Sequence, residues 1–226
     1  MSQALGSDRG DEIVKASLPF LKADSPVLMK GAVGAVRQFR SSDPAVREAL
    51  FQAAEHVVSR GEPELGNEFT QLLAMQKDER AHALLRSLVE RGFIQVSNAL
   101  VSFEDPADLP RLSVFLSARE EATSESDQRT AFLPYELYSA YGAASVPYLR
   151  TALKAPLGRF TLSSAATRLI AADDPAGFQF AAQAIEQNRV SRSDMIQALK
   201  SRFPELKAAN DDAVLAFARE RAGSAK

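Results

Sequence analysis

The feature that most constrains this chain is a stretch that it uses twice. Residues 17–54 and 145–185 follow one order: serine, an apolar residue, proline, an aromatic residue, leucine and a base, then an alanine-rich helical pattern and an Asp-Pro pair. Matched prolines of the two copies, such as Pro19 with Pro147 and Pro44 with Pro175, are separated by nearly the same number of residues. Such a repeat predicts an array of similar units, each of which buries its apolar side against its neighbours.

Apolar residues recur at helical spacing along almost the whole chain, and the sustained alternation that is typical of strands does not occur. Asp-Pro and glycine turns divide the pattern into about twelve or thirteen short segments. We therefore predict an all-α fold, and within that class an α-solenoid of about six antiparallel helix pairs. A helix bundle would need fewer and longer helices.

The domain organisation follows from where this pattern starts and stops. Residues 1–10 are polar and are expected to be disordered, residues 11–222 are expected to form one repeat domain, and residues 223–226 are expected to fray. The longest polar interruption, at 119–128, is expected to be an exposed loop. The first helix is predicted to begin at Asp11, and a helix that contains Pro134 is predicted to begin near Leu133.

Composition excludes several classes of function. With 27 basic and 29 acidic residues the net charge is -2, so nothing in the overall charge favours nucleic acid or an anionic membrane. The absence of cysteine removes disulfides, thiol nucleophiles and thiolate metal sites. No apolar run approaches the roughly 20 residues that span a bilayer, so a soluble protein is expected. The compartment is undecided: the cytoplasm is the default, and the periplasm or exterior applies if the chain is a mature fragment.

The common catalytic and binding motifs are missing from the sequence. It contains no phosphate-binding loop, dinucleotide fingerprint, zinc-protease motif, nucleophile elbow or calcium loop. Gly31 and Gly34 lie in an apolar helical pattern, which we interpret as close helix packing. His56 and His82 lie in different helices, each near a glutamate, and are interpreted as structural rather than metal-binding residues. The sequence therefore predicts no catalytic residue, no metal and no cofactor.

One cluster of residues is uneven enough to suggest a binding surface. All four tyrosines fall between residues 135 and 148, and three of them recur at i, i+3 and i+6 along one helix. Tyrosine offers a large contact area and a hydroxyl group, which makes it frequent in binding surfaces, although packing between repeats would explain the cluster as well. With nearby arginines, the candidate partner-binding residues are Tyr135, Tyr138, Tyr141, Arg129, Arg159 and Arg168.

The paired pattern resembles HEAT-type repeats. The segments that carry this resemblance are Leu18-Pro19-Phe20-Leu21, Asp43-Pro44-Ala45-Val46-Arg47, Val146-Pro147-Tyr148-Leu149 and Asp173-Asp174-Pro175. The units are shorter than the roughly 40 to 47 residues usual for that family. A tetratricopeptide array fits a length of about 34 residues, but its characteristic tryptophan, glycine, tyrosine and proline are not at their places.

The resemblance implies a right-handed superhelix that acts without catalysis, as an interaction or scaffold module. Its second helices, including the tyrosine helix, would line a concave face that holds a peptide or a partner domain, and the arginines would suit an acidic or phosphorylated partner. Two alternatives within HEAT-like proteins are alkylpurine DNA glycosylases and phycobilin chromophore lyases. The former use aromatic walls that include tryptophan on a basic face, whereas this chain has no tryptophan and a net charge of -2. The C-terminal copy of the repeat is the more polar, so we expect that half to bind.

Overall fold

The computed structural model describes residues 4–23, 25–39, 43–60, 67–117, 130–187 and 189–223. Every regular element within them is an α-helix or a 3-10 turn, so the predicted all-α class is confirmed for these residues. None of the described helices combines the length and the apolar character needed to span a bilayer. The chain forms two compact units, Met1–Phe103 and Glu104–Lys226, and the single domain over 11–222 stays a prediction.

The described helices of the N-terminal unit are α1 (Ala4–Ser17), α2 (Pro26–Phe39), α3 (Pro44–Arg60), α4 (Asn67–Met75), α5 (Glu79–Glu90) and α6 (Ser97–Val101). Helix α1 begins at Ala4 rather than at the predicted Asp11, and the disorder expected for residues 1–10 stays a prediction. The physical reason for the earlier start is packing, because Gly10 is buried and α1 lies against α2.

The described helices of the C-terminal unit are α7 (Leu109–Ser113), α8 (Leu133–Tyr141), α9 (Val146–Ala152), α10 (Arg159–Ala171), α11 (Pro175–Glu186), α12 (Arg192–Arg202) and α13 (Asp211–Gly223). Helix α8 begins at Leu133 as predicted, with Pro134 in its first turn, where no amide hydrogen bond is lost. The predicted loop at 119–128 lies outside the described residues.

Within each unit several helices pack on their successor and several on the next helix but one. The pairs that skip one helix are α2 with α4, α3 with α5, and α4 with α6 in the first unit, and α8 with α10, α10 with α12, and α11 with α13 in the second. The second unit encloses a core of side chains that are at most 1% exposed, among them Leu137, Leu149, Ala165 and Phe178. Alternate helices therefore lie side by side, as in two layers.

Aspartates begin three of these helices, as the Asp-Pro and Asp-Glu sequences suggest. The carboxylates of Asp43, Asp78 and Asp174 each accept a hydrogen bond from a first-turn backbone N–H, at 2.8, 2.8 and 3.0 Å. These N–H groups have no partner within the helix, so an N-cap side chain satisfies one of them. We call these three residues the capping aspartates.

Each capping aspartate also binds a base from the helix two positions earlier. The pairs are Lys15 with Asp43, Arg47 with Asp78, and Arg150 with Asp174. In the last pair the Arg150 Nε and Nη2 atoms lie 2.9 and 2.5 Å from Asp174 Oδ2, and this hydrogen bonding holds the pKa of Arg150 above its ordinary value. The same contact thus joins α1 to α3, α3 to α5, and α9 to α11.

Among the described glycines of the second unit, Gly177, near the start of α11, makes the closest approach to another helix. A Cβ atom there would lie 2.8 Å from both the Leu169 Cβ and the Ile170 backbone nitrogen of α10. Only glycine allows this approach without a shift. Gly31 and Gly34 are exposed and a Cβ would meet no atom within 4 Å, so the sequence-based interpretation of those two glycines as packing residues is wrong.

Replacing Gly177 with alanine is expected to lower the free energy of unfolding by about 1–3 kcal/mol, because the added methyl group overpacks against α10. Gly34→Ala is the matched control: it changes a helical glycine in open space and is expected to stabilise by about 0.5–1 kcal/mol. Urea titrations followed by circular dichroism check both variants. A Gly177→Ala protein at least as stable as the wild type would contradict the close approach.

Candidate partner-binding surface

Ion pairs line two shallow depressions of the described surface. One depression of about 580 Å³ lies between α3 and α5, where Arg80 donates to Glu48 and to Glu55 at 2.7 Å each. The hydrogen bond from Arg80 holds the pKa of Glu48 below its ordinary value. Another, of about 330 Å³, lies between α11 and α13, where Arg219 binds Glu186. These charges pair with one another, which favours a candidate site elsewhere on the described surface.

Both histidines lie in the N-terminal unit. His82 is buried in α5, and its ring stacks on Phe103 with centroids 4.4 Å apart and an interplanar angle of 7°. The Lys77 ammonium lies 4.9 Å from the centre of the same phenyl ring. His56 is half-buried on α3. The structural interpretation of the two histidines stays a prediction.

Helices α8 and α10 of the C-terminal unit pack side by side and run in the same direction. The Thr130 and Thr161 hydroxyl oxygens are 2.7 Å apart just before α8 and near the start of α10. Further along both helices, the Arg168 guanidinium carbon lies 4.9 Å from the centre of the Tyr135 ring. Because both contacts advance together along the chain, the two helices are parallel, and the sequence correctly brings Tyr135 and Arg168 to one place.

Three large aromatic side chains are exposed where α8 and α10 meet. Phe132 is 70% exposed, Tyr135 49% and Phe160 44%, although a phenyl ring is normally buried. Phe132 and Phe160 each lie within two residues of the threonine pair, and the Arg159 guanidinium lies 4.8 Å from the Phe160 ring centre. We call the set of Phe132, Tyr135, Phe160 and Arg168 the aromatic–arginine surface.

Of these four residues, Tyr135 and Arg168 were predicted from the sequence. Arg159 was predicted for the same surface, but it lies nine residues before Arg168, about 180° around α10, and therefore faces away from α8. Phe132, which precedes Tyr135 by one helical turn, and Phe160 were not predicted, because the sequence does not show which apolar residues near the start of a helix remain exposed.

The prediction that Tyr141 binds a partner is wrong, because its side chain is buried, at 9% exposure. Positions i and i+6 are about 120° apart around a helix, so Tyr135 and Tyr141 face different surroundings.

The two remaining predicted residues add little to the surface. Tyr138 is half-buried on α8, between the exposed side of the helix and its core side. Arg129 lies outside the described residues. The surface therefore consists of residues at the start of α8 and at both ends of α10, and not of three tyrosines along one helix.

Arg168 of this surface and Arg159, on the other side of α10, both contact rings rather than carboxylates. Within the described residues neither Arg159 nor Arg168 makes an ion pair, and the buried Arg168 Nε donates no hydrogen bond. Elsewhere in the same unit arginines pair with acids, as Arg150 does with Asp174 and Arg221 with Asp173 at 3.6 Å. The surface therefore keeps positive charge that the described part of the protein does not neutralise.

Near this surface, Glu136 is the titratable group whose pKa differs most clearly from its ordinary value. It is half-buried on α8, next to Tyr135, and its Oε2 atom is buried without a hydrogen bond from any described residue. Burial raises the pKa of this carboxyl from 4.5 to about 7, since the charged form loses its hydration.

No protein-family model matches the chain, and no curated protein or solved structure is significantly similar to it.

Because the folded-state pKa of Glu136 is raised, its contribution to stability is fully present below about pH 4.5 and is lost as the pH rises to about 7. Glu136→Gln resembles the protonated form, so above pH 7 this variant is expected to be more stable than wild type. Allowing for screening at a partly exposed site, the gain should be about 1–2 kcal/mol. Below pH 4.5 the gain should vanish.

Urea titrations at several pH values check this dependence, with Glu205→Gln as the control because Glu205 is an exposed carboxylate of the same unit. A Glu136→Gln gain that did not change with pH would show that the carboxyl is not perturbed by burial.

Proposed function

We propose that the chain is a right-handed, HEAT-like α-solenoid of about six antiparallel helix pairs that acts as a non-enzymatic interaction module. The aromatic–arginine surface would bind a peptide or a partner domain, on the concave face that second helices such as α8 and α10 form in this architecture. The observation that carries the binding proposal is the exposure of Phe132, Tyr135 and Phe160 near Arg168, which has no carboxylate partner among the described residues.

Two observations support the solenoid. In an array of helix pairs, first helices stack on first helices and second helices on second helices, so that neighbours in one layer are parallel. The parallel pair α8 and α10 and the packing of alternate helices in both units fit this rule. The capping aspartates fit it too, because the same contact recurs between helices that are two positions apart.

The composition of the surface supports binding rather than packing. Aromatic side chains and arginine are the residues that most often carry the energy of protein interfaces. Rings that remain exposed in a folded unit leave apolar area that a partner would remove from water. Tyr135 is also held in place by the Arg168 guanidinium, so less side-chain entropy is lost when a partner binds.

A disulfide tests the parallel register that the solenoid needs. The chain has no cysteine, so Thr130→Cys with Thr161→Cys creates a single pair at positions whose hydroxyl oxygens are 2.7 Å apart. We expect this pair to oxidise readily, since a disulfide needs the two residues to face each other at close range. The control pair is Thr130→Cys with Arg168→Cys. Its second position lies about 10 Å further along α10, so this pair is expected to oxidise more slowly.

Mass spectrometry after mild oxidation, with and without reductant, measures closure of both pairs. Faster closure of the control pair, or none of the Thr130–Thr161 pair in a folded protein, would contradict the parallel arrangement.

Loss of the exposed rings tests the binding surface. Peptides are selected from a random display library on the wild-type protein, and their affinities are compared with those for a Phe132→Ser, Tyr135→Ser double variant. Each ring contributes up to roughly 1.5–3 kcal/mol when buried, so the double variant is expected to bind at least about tenfold more weakly. Val27→Ser, at an apolar residue that is 79% exposed on α2, is the control and should leave binding unchanged.

Circular dichroism confirms that the variants are folded, which is expected because all three positions are exposed. Failure to enrich any peptide reproducibly, or equal binding by the double variant, would contradict an interaction site at this surface.

A further inference from the structure

We infer that the aromatic–arginine surface binds the C-terminal end of a partner protein. The terminal carboxylate of the partner binds Arg168, and the side chains of its last and third-last residues are apolar and cover the exposed rings. The inference rests on the proposed function, because it names the chemistry of the ligand for that same surface.

Arg168 is the cation of this surface, and its guanidinium group has hydrogen-bonding capacity that the described protein leaves unused. Its Nε is buried and has no acceptor among the described residues. Neither Nη group has an acceptor there and neither is buried, so a ligand reaches the guanidinium at its Nη end. Two N–H groups side by side match the two oxygens of one carboxylate, which is therefore the complementary anion.

The guanidinium group is held over a ring that is itself partly open to a ligand. The Arg168 guanidinium carbon lies 4.9 Å from the centre of the Tyr135 ring, and Tyr135 is 49% exposed. An apolar side chain beside the bound carboxylate would remove the open part of this ring from water. In the last residue of a chain the carboxylate and the side chain are joined to the same Cα atom, so one residue can contact both members of the stacked pair.

The exposed rings lie on one side of Arg168 along the axes of the parallel helices. Phe132 and Tyr135 lie at the start of α8 and Phe160 at the start of α10, whereas Arg168 is in the last turn of α10. Beyond Arg168, α10 ends at Ala171, and no large apolar side chain of the described α8 and α10 is exposed there. A chain that ends at Arg168 uses the whole surface, whereas a chain that continues past it finds no further ring.

The rings are spaced for alternate residues of an extended peptide. Thr130 and Thr161, whose hydroxyl oxygens are 2.7 Å apart, give the two helices a common level. Tyr135 follows Thr130 by five residues and Phe160 precedes Thr161 by one, which separates them by about 9 Å along the helix axes. An extended peptide turns alternate side chains to one side about 7 Å apart, and the width of the rings covers the remaining distance. The last residue then contacts Tyr135 and the third-last contacts Phe160.

A polymer with many anionic groups fits this surface less well. Single-stranded nucleic acid also stacks on aromatic rings, but it needs a continuous positive groove along its backbone. Arg159, the other arginine of α10, lies on the opposite side of the helix and adds no charge to this surface. A surface with one available arginine favours a ligand with one negative charge at its end.

Fluorescence polarisation with synthetic peptides tests the inference. Two peptides carry fluorescein at the N-terminus, a Gly-Ser spacer and the end Phe-Ser-Leu, with a free carboxylate in one and a C-terminal amide in the other. We expect the free acid to bind at least about tenfold more tightly, because only it makes a charge-assisted hydrogen bond with Arg168. A third, amidated peptide ends in Phe-Ser-Leu-Glu-Gly and carries its carboxylate on a side chain. It is expected to bind as weakly as the first amide, because its chain continues past Arg168.

Two arginine variants separate this contact from general charge attraction. Arg168→Gln is expected to weaken the free acid about tenfold and to leave the amide nearly unchanged, so the difference between the two peptides disappears. Arg189→Gln is the matched control, because Arg189 also lies over a ring, that of Phe180, but away from α8 and α10. It should preserve the difference. Arg168→Lys keeps the charge but lacks the planar pair of N–H groups, and it is expected to lose most of the difference. Circular dichroism confirms that the variants are folded.

Equal affinities of the acid and the amide, no measurable binding of the acid, or an equal loss in the Arg189→Gln protein would overturn the inference. Tight binding of the peptide with the internal glutamate would overturn it as well, since the anion would then be a side chain. If acid and amide bind equally but both lose affinity for the Phe132→Ser, Tyr135→Ser variant, the proposed function stands while capture of a chain end fails. If neither loses affinity for that variant, the proposed function fails too. Tighter binding of a single-stranded oligonucleotide would replace the peptide with nucleic acid.

Discussion

The order of helices in both units depends on aspartates that begin one helix and hold a base from the helix two positions earlier. The carboxylate of Asp174 accepts the Ala176 N–H and also binds Arg150, so one side chain fixes the start of α11 and its distance from α9. Asp43 does the same for α3, where the Ala45 N–H and then Lys15 hold its pKa below the ordinary value. A helix start that is tied in this way cannot slide along its neighbour without losing both contacts.

Apolar packing supplies most of the stability, and these polar contacts supply the register. An ion pair with one exposed partner contributes little by itself, since water screens it. Leucine and alanine side chains on two helices can interdigitate in several registers, however, and a carboxylate that needs both an N–H and a base is satisfied in only one. Asp174 is 6% exposed, so a shift of α11 would leave a buried charge without its partners. Gly177, one turn later, then allows α11 to approach α10 closely.

The sequence predicts the local parts of this structure well. Asp43 and Asp174 identify helix starts because capping depends on residues that are adjacent in the chain. Gly177 could not be separated from Gly31 and Gly34 by sequence, because the space around a helical glycine depends on which helix packs there. The all-α class follows from periodicity, whereas the close approach of α10 and α11 is a tertiary property that periodicity does not contain.

The candidate binding surface could be predicted only in part, because which side chains of a helix stay exposed is also a tertiary property. Tyr135 and Arg168 were correctly assigned to neighbouring helices, yet Tyr141 is buried and Phe132 is exposed, which is the reverse of what their chemistry alone suggests. A tyrosine hydroxyl tolerates water better than a phenyl ring does, so exposure of Phe132 at 70% costs apolar contact that burial would have gained. Such an exposed ring, near an arginine that binds no acid among the described residues, supports the proposed binding surface.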